Sequence, residues 1–286
     1  MSANFNYVAS NSGFGLALLA LTTLMPPVMD GDTLYGITAD DNLISIDTSN
    51  PGSATLINPL DTPASSIGIF GSGGSLYVYD TNNNVLRQIN PANAASVATI
   101  NLGLSVAPGE GDMTFSNGVG YLASTDQPDG SFNGLGTLYK FSLSSNSATV
   151  ISTNIPLIDG LTLSPTGVLF GLEQGGATLD TIDTTTGAIT SSLATGINTN
   201  CGGFACYSYG GLTFGQSGTL FADLTNFSNP TSDFFLINPA TGAATADGTL
   251  PFDQVDGLTT IVPEPSSILL LTVSSFCCIR LRRKQE

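Results

Sequence analysis

Five times the chain repeats a small or acidic residue, a spacer, a leucine-like position and an aromatic. The copies are Asp32-Thr33-Leu34-Tyr35, Gly74-Ser75-Leu76-Tyr77, Gly118-Val119-Gly120-Tyr121, Gly167-Val168-Leu169-Phe170 and Gly218-Thr219-Leu220-Phe221. Successive aromatics stand 42, 44, 49 and 51 residues apart. Strand chemistry repeated at such intervals is the pattern of a β-propeller, in which each small sheet buries its faces on its neighbours. Leu34, Tyr77, Tyr121, Phe170 and Phe221 are expected as equivalent residues of the cores between blades.

Two further motifs keep the same rhythm. After each aromatic strand comes a strand ending in turn chemistry, as in Ile46-Asp47-Thr48, Ile89-Asn90-Pro91, Phe141-Ser142-Leu143, Ile182-Asp183-Thr184 and Ile237-Asn238-Pro239. Before it comes a small-residue strand: Gly68-Ile69-Phe70, Asp112-Met113-Thr114-Phe115, Gly160-Leu161-Thr162-Leu163 and Gly211-Leu212-Thr213-Phe214. The first unit lacks this strand, and its copy, Gly257-Leu258-Thr259-Thr260, arrives last. The expected fold is therefore an all-β, five-bladed propeller of four-stranded antiparallel sheets over residues 30–261. Its C-terminal strand, 255–261, completes the blade begun by residues 31–59 and closes the ring, leaving no open sheet edge between first and last blades.

Charge narrows the partners. The chain has 22 acids, six Lys and Arg, and no His. Four of the cations are Arg280, Arg282, Arg283 and Lys284, so residues 1–262 hold two cations and 20 acids, a net of −18. Nucleic-acid affinity comes largely from Lys and Arg neutralising phosphates, so such a body is no nucleic-acid binder. The lack of His removes the usual base of nucleophilic triads and the commonest transition-metal ligand. No metal site and no cofactor are expected.

The ends differ from the body. Phe14 to Val28 is apolar, has signal-peptide length and ends at Pro26-Pro27, although residues 1–13 hold no Lys or Arg and no Ala-x-Ala site precedes Asp30. Residues 1–29 are expected to be a signal-like segment. At the other end, Pro263-Glu264-Pro265-Ser266-Ser267 precedes uncharged Ile268 to Ile279 and the basic run Arg280-Leu281-Arg282-Arg283-Lys284. Twelve residues of helix span about 18 Å, short of the roughly 30 Å hydrocarbon core. The basic cluster would stay on the cytoplasmic side and the body outside.

These three parts, in this order at the terminus, resemble the PEP-CTERM sorting signal of exported bacterial proteins. The resemblance implies export and recognition of Pro263, Glu264 and Pro265 by an exosortase-type processing enzyme. It also implies transient membrane attachment through residues 262–286, with a short apolar helix, and release to a cell surface or matrix where exopolysaccharide is an expected partner. Together with the strand and turn repeats it resembles exported propeller-like proteins whose domains have no assigned function. The expected role is a structural or binding module of the envelope or matrix rather than an enzyme.

The remaining chemistry is sparse. Cys201 and Cys206 share a CGGFAC loop and are expected to form a disulfide in an oxidising exterior, free thiols being the alternative. Cys277 and Cys278 fall in the apolar tail. Asp80-Thr81-Asn82-Asn83-Asn84 begins like a calcium loop but has Val85 and Pro91 at positions six and twelve, so turn chemistry accounts for it better. Five-bladed propeller glycosidases resemble this architecture and place carboxylates around the channel. Asp112, Asp159 and Asp256 stand at or beside equivalent starts of the inner strands. They are the candidate channel carboxylates, available to a carbohydrate-active enzyme or a lectin-like glycan binder. Their alternative role is to shape the strand starts beside glycine.

Overall fold

The computed structural model describes residues 31–198, 207–229 and 231–261. The signal-like segment, Cys201 and Cys206, the Pro263-Glu264-Pro265 triplet, the C-terminal apolar helix and the basic run lie outside the described residues. Among the described residues no helix is long and apolar enough to cross a membrane.

Among the described residues, twenty strands form five antiparallel four-stranded sheets. The second blade is β4 (Ile67–Ser72), β5 (Ser75–Asp80), β6 (Val85–Ile89) and β7 (Ser96–Ile100) in that order, and the others repeat it. The third is β8 (Met113–Ser116), β9 (Val119–Ser124), β10 (Gly136–Ser142) and β11 (Ser147–Ile155). The fourth is β12 (Ile158–Leu163), β13 (Leu169–Glu173), β14 (Thr178–Ile182) and β15 (Ile189–Ala194). The fifth is β16 (Tyr207–Phe214), β17 (Leu220–Asn226), β18 (Thr231–Ile237) and β19 (Ala244–Leu250). In the first blade, β1 (Thr33–Thr38), β2 (Asn42–Asp47) and β3 (Thr55–Pro59) are joined by the last strand, β20 (Val255–Thr259), which occupies the inner position. Tyr35 faces Thr259 and Ile37 faces Gly257 across this clasp. The inner strands β20, β4, β8, β12 and β16 touch in sequence and close the ring.

Each blade interface has its own buried cluster. Leu34, Ile44 and Val255 meet Phe221 and Phe234 between blades one and five, and Ile37 and Leu43 meet Ile69, Leu76 and Val78 between one and two. Phe70, Tyr77 and Tyr79 meet Met113, Tyr139 and Phe141 between two and three. The remaining interfaces pair Tyr121 and Leu138 with Leu161 and Leu169, and Phe170 and Leu172 with Leu212 and Leu224. The sheets are too small to bury two faces alone, so stability is spread over five such interfaces.

The register corrects one equivalence. Leu76 faces Ile89 and Leu220 faces Ile237 just as Leu34 faces Ile46, whereas Tyr77 faces Gln88 and Phe221 faces Leu236 as Tyr35 faces Ser45. Tyr35, not Leu34, is thus the counterpart of Tyr77, Tyr121, Phe170 and Phe221. In the third blade the leucine position is Gly120, and a Cβ there would lie 2.1 Å from the ring of Phe141, its cross-strand partner. One large residue from the neighbouring strand fills the space that a leucine and an isoleucine share elsewhere.

The Asp80-Asn84 segment is the turn from β5 to β6, with Asn84 at φ 54°. Asp80 accepts the Asn83 N–H at 2.9 Å and is paired with Arg87, whose guanidinium also donates to the Thr62 carbonyl at 2.8 Å. Arg87 is only 3% exposed and Asp80 1%. Removing one member of a buried pair leaves the other charge without its partner. Arg87→Met is therefore expected to lower unfolding free energy by about 3 to 5 kcal/mol in denaturant titration. The Asp80→Asn/Arg87→Met double variant is expected to recover much of that loss; a single-variant loss below about 1 kcal/mol would contradict this.

Candidate functional site at the acidic mouth

The axis of the ring is built in layers, and the inner-strand motif sets them. At its first position stand Gly68, Asp112, Gly160, Gly211 and Gly257. The four glycines form a collar where strands approach too closely for side chains. A Cβ on Gly211 would lie 2.3 Å from the Leu258 nitrogen, one on Gly160 2.7 Å from the Leu212 Cβ, and one on Gly257 2.8 Å from the Gly68 Cα. Asp112 stands in the fifth place. Its Oδ1 accepts the Met113 N–H at 2.7 Å, and its Oδ2 accepts those of Leu161 at 2.9 Å and Leu212 at 3.4 Å. The Ile69 N–H donates to it as well. One carboxylate thus gathers amides from four of the five inner strands. Burial pushes its protonation upward and these four amides oppose the shift.

Directly before the collar, Ile67, Gly111, Asp159, Gly210 and Asp256 occupy the matching place in the five strands, and all five line one cavity of about 70 Å³. Glu110, Tyr209 and Gln254 complete it. Four inner strands start with one extra residue relative to their partner: Gly68, Asp159, Tyr209 and Asp256. A bulge re-aims a side chain. Three of these four bulged residues, Asp159, Tyr209 and Asp256, line the cavity. Tyr209 and Gln254 are also held at φ 54° and 43°, a conformation costing non-glycine residues of order 1 kcal/mol or more.

The electrostatics are one-signed. Asp159 accepts the Gly175 N–H at 2.9 Å, and burial, with the nearby Glu110 charge adding, pushes its carboxyl up to about 7. Burial pushes Asp256 up to about 8, a hydrogen bond from Gln254 opposing and Glu110, Asp159 and Asp41 adding. Oδ1 of Asp256 is shielded from solvent and has no hydrogen-bond partner. The Tyr209 hydroxyl donates to Glu110, and this bond with burial raises its ionisation to about 12. Behind the cavity, Asp223 on β17 accepts the Gly211 N–H at 2.9 Å through Oδ1, while its Oδ2 is buried without a partner. Burial is again the main cause of its strong upward shift.

Of the three carboxylates expected around the channel, Asp159 and Asp256 share the cavity, whereas Asp112 lies in the collar with its oxygens committed to backbone amides. Glu110, Tyr209 and Asp223 were not among the expected residues. The signal for Asp223 is a lone charge in the apolar run Leu220-Phe221-Ala222-Asp223-Leu224, at a register position held by Ile37, Ala123 and Leu172 in other blades. Among the described residues no group of three His, Cys, Asp or Glu is placed to hold a metal ion.

The opposite mouth is neutral. A cavity of about 490 Å³ is lined by Thr114, Thr162, Thr213 and Thr259, by Phe70, Phe115 and Phe214, and by the turns that follow. Thr114 Oγ1 accepts the Leu163 N–H at 3.1 Å and Thr259 Oγ1 the Gly71 N–H at 3.0 Å, so the hydroxyls tie adjacent inner strands together.

No protein-family model matches the chain, and no curated protein sequence does. Solved structures are similar to it at the level of fold. Hydrazine synthase of Kuenenia stuttgartiensis aligns at 16% identity and TM-score 0.41 over 68% of this chain, which spans half of that chain's length. Virginiamycin B lyase of Staphylococcus aureus aligns at 15% and 0.43 over 74% of this chain and 68% of its own. Glutaminyl cyclase of Myxococcus xanthus aligns at 19% and 0.44 over 76% and 78%.

The raised carboxyls give the body a pH signature. An aspartate with a folded pKa above its unfolded value binds more protons in the folded state between the two, so stability falls as pH rises through that window. For Asp159 and Asp256 the window runs from the ordinary 3.8 to about 7 and 8. Exposed Asp47, Asp129 and Asp183, lowered by hydrogen bonds from Ser49, Ser131 and Thr186, act only below it. The melting temperature is expected to decline from pH 5.5 to pH 8.5, and Asp159→Asn/Asp256→Asn to reduce the decline without abolishing it, because burial also raises Asp112 and Asp223. A wild-type melting temperature that climbs over this range would contradict the assignment.

Proposed function

We propose that this chain is an exported binding module, a propeller sorted to the cell surface through its C-terminal segment after recognition by an exosortase-type enzyme. Its partner belongs to the envelope or to an exopolysaccharide matrix. The observation that supports this best is where the body begins and ends. The Ile261 carbonyl accepts from Gln216 at 3.2 Å, and Asp32 accepts from the hydroxyl of the adjacent Ser217 at 2.6 Å. Both ends of the described body thus meet at the turn between β16 and β17, on the neutral face. On the sorting reading, a tether would leave the body from this neutral face.

A carbohydrate-active enzyme would use Asp159 and Asp256 as its carboxylate pair. The cavity that both line is about 70 Å³, room for a few waters. In the exported protein Cys201 and Cys206 would be joined.

Processing supplies the test. Glu264→Ala leaves apolar content and topology unchanged, so in the native cell it is expected to accumulate as full-length, membrane-bound protein while the wild type loses its basic tail. Wild-type protein recovered with Arg282 to Glu286 still attached would make the segment an ordinary anchor and overturn the sorting reading.

A further inference from the structure

We infer that the neutral mouth is a socket for one uncharged sugar residue, the non-reducing end of a glycan, with its C–H face against Phe115 and Phe214 and its hydroxyls on Thr162, Ser116 and Asn117. The inference deepens the reading of the body as a binding module and rests on it, but not on export.

Two successive layers of the inner-strand motif line the cavity of about 490 Å³. The third motif position supplies Phe70, Thr114, Thr162, Thr213 and Thr259, and the fourth supplies Gly71, Phe115, Leu163, Phe214 and Thr260. The fourth layer is lopsided. Phe115, Leu163 and Phe214 follow one another on the adjoining strands β8, β12 and β16, whereas Thr260 and Gly71 close the circle after β20 and on β4. An apolar wall over three blades thus faces a small, polar remainder. Both rings are half-buried and held by a second ring: Phe115 is stacked on Phe70 at 5.2 Å, and Phe214 lies tilted against Phe170 at 5.9 Å.

The polar groups are unevenly used. Thr114 and Thr259 accept the N–H groups of Leu163 and Gly71 on the next strand. Thr162, at the matching place and only 4% exposed, makes no side-chain hydrogen bond to any described residue. The same holds for the Ser116 hydroxyl and the Asn117 amide, which line the cavity where β8 turns into β9. Each of the three can both donate and accept.

These properties select the ligand. Among the described residues no charged side chain lines the cavity, so an ion would lose its hydration there without gaining a counter-charge. A wholly apolar ligand would bury the Thr162 hydroxyl unbonded. A neutral molecule with an apolar face and a rim of hydroxyls meets both walls, and a pyranose is built that way. The volume falls within the range of small-molecule sites. Five strands enclose the cavity and the collar lies beneath it, so it takes the end of a chain rather than a passing one. A free peptide end carries a charge, whereas the non-reducing end of a neutral glycan carries none.

The test is a saturation-transfer NMR titration of the full-length protein with the methyl α- and β-pyranosides of glucose, galactose and mannose. Methyl glucuronide, glucosamine and N-acetyltyrosine amide serve as anionic, cationic and peptide-like controls. Saturable one-to-one binding of at least one neutral pyranoside, at least tenfold tighter than every control, is expected. Thr162→Val keeps the side-chain shape and removes a hydroxyl that no described residue uses, so it should melt like the wild type and bind about threefold or more weakly. Phe214→Leu keeps the wall apolar but removes a ring face, and should weaken binding likewise while remaining folded by melting. No saturable binding of any pyranoside, or a control bound as tightly, would overturn the inference. A pyranoside bound equally well by both folded variants would overturn this site while leaving the binding-module reading in place, and the sorting reading is decided separately by processing in cells.

Discussion

Everything about this ring follows from how closely its five inner strands approach the axis. At the collar the backbones come within a Cβ's distance of each other, so four positions are glycine. Their neighbouring amides would be buried without partners if the fifth position were glycine too. Asp112 supplies the acceptors. Its two oxygens gather N–H groups from β4, β8, β12 and β16, joining strands that no sheet hydrogen bond connects. A buried donor left unmade costs about 1 to 3 kcal/mol, so one side chain decides several such terms together.

That constraint also separates the two ends. The collar lies between a small acidic cavity and a larger neutral one ringed by threonines. On the acidic side the chain accepts bulges at Asp159, Tyr209 and Asp256 and positive φ at Tyr209 and Gln254. Strained backbone and crowded carboxylates both oppose folding, and the five interblade clusters carry that load. Local cost is thereby gathered at one mouth of an otherwise regular repeat.

The architecture was legible in the sequence because it depends on repeated residues. The aromatic strand, the turn after the third strand and the displaced last copy gave blade number, strand number and clasp. Side-chain roles were less legible, because they depend on register to a single residue. A one-residue step turns a side chain to the other face, which is why Leu34 and Tyr35 exchanged roles. The same step separates Asp112, inside the collar, from Asp159 and Asp256, one place before it. Gly120 with Phe141, and Asp223 with Gly211, are cross-strand relations, and a linear pattern does not carry those.

The collar account is tested most directly by thermal unfolding of Asp112→Asn beside the wild type at neutral pH. Asparagine keeps the shape and one acceptor but turns an NH2 group toward amides that need an oxygen. Two buried N–H groups then lose their partner at about 1 to 3 kcal/mol each, so the melting temperature is expected to fall by at least about 5 °C. A variant melting within about 1 °C of the wild type would mean that the carboxylate does not hold the inner strands together.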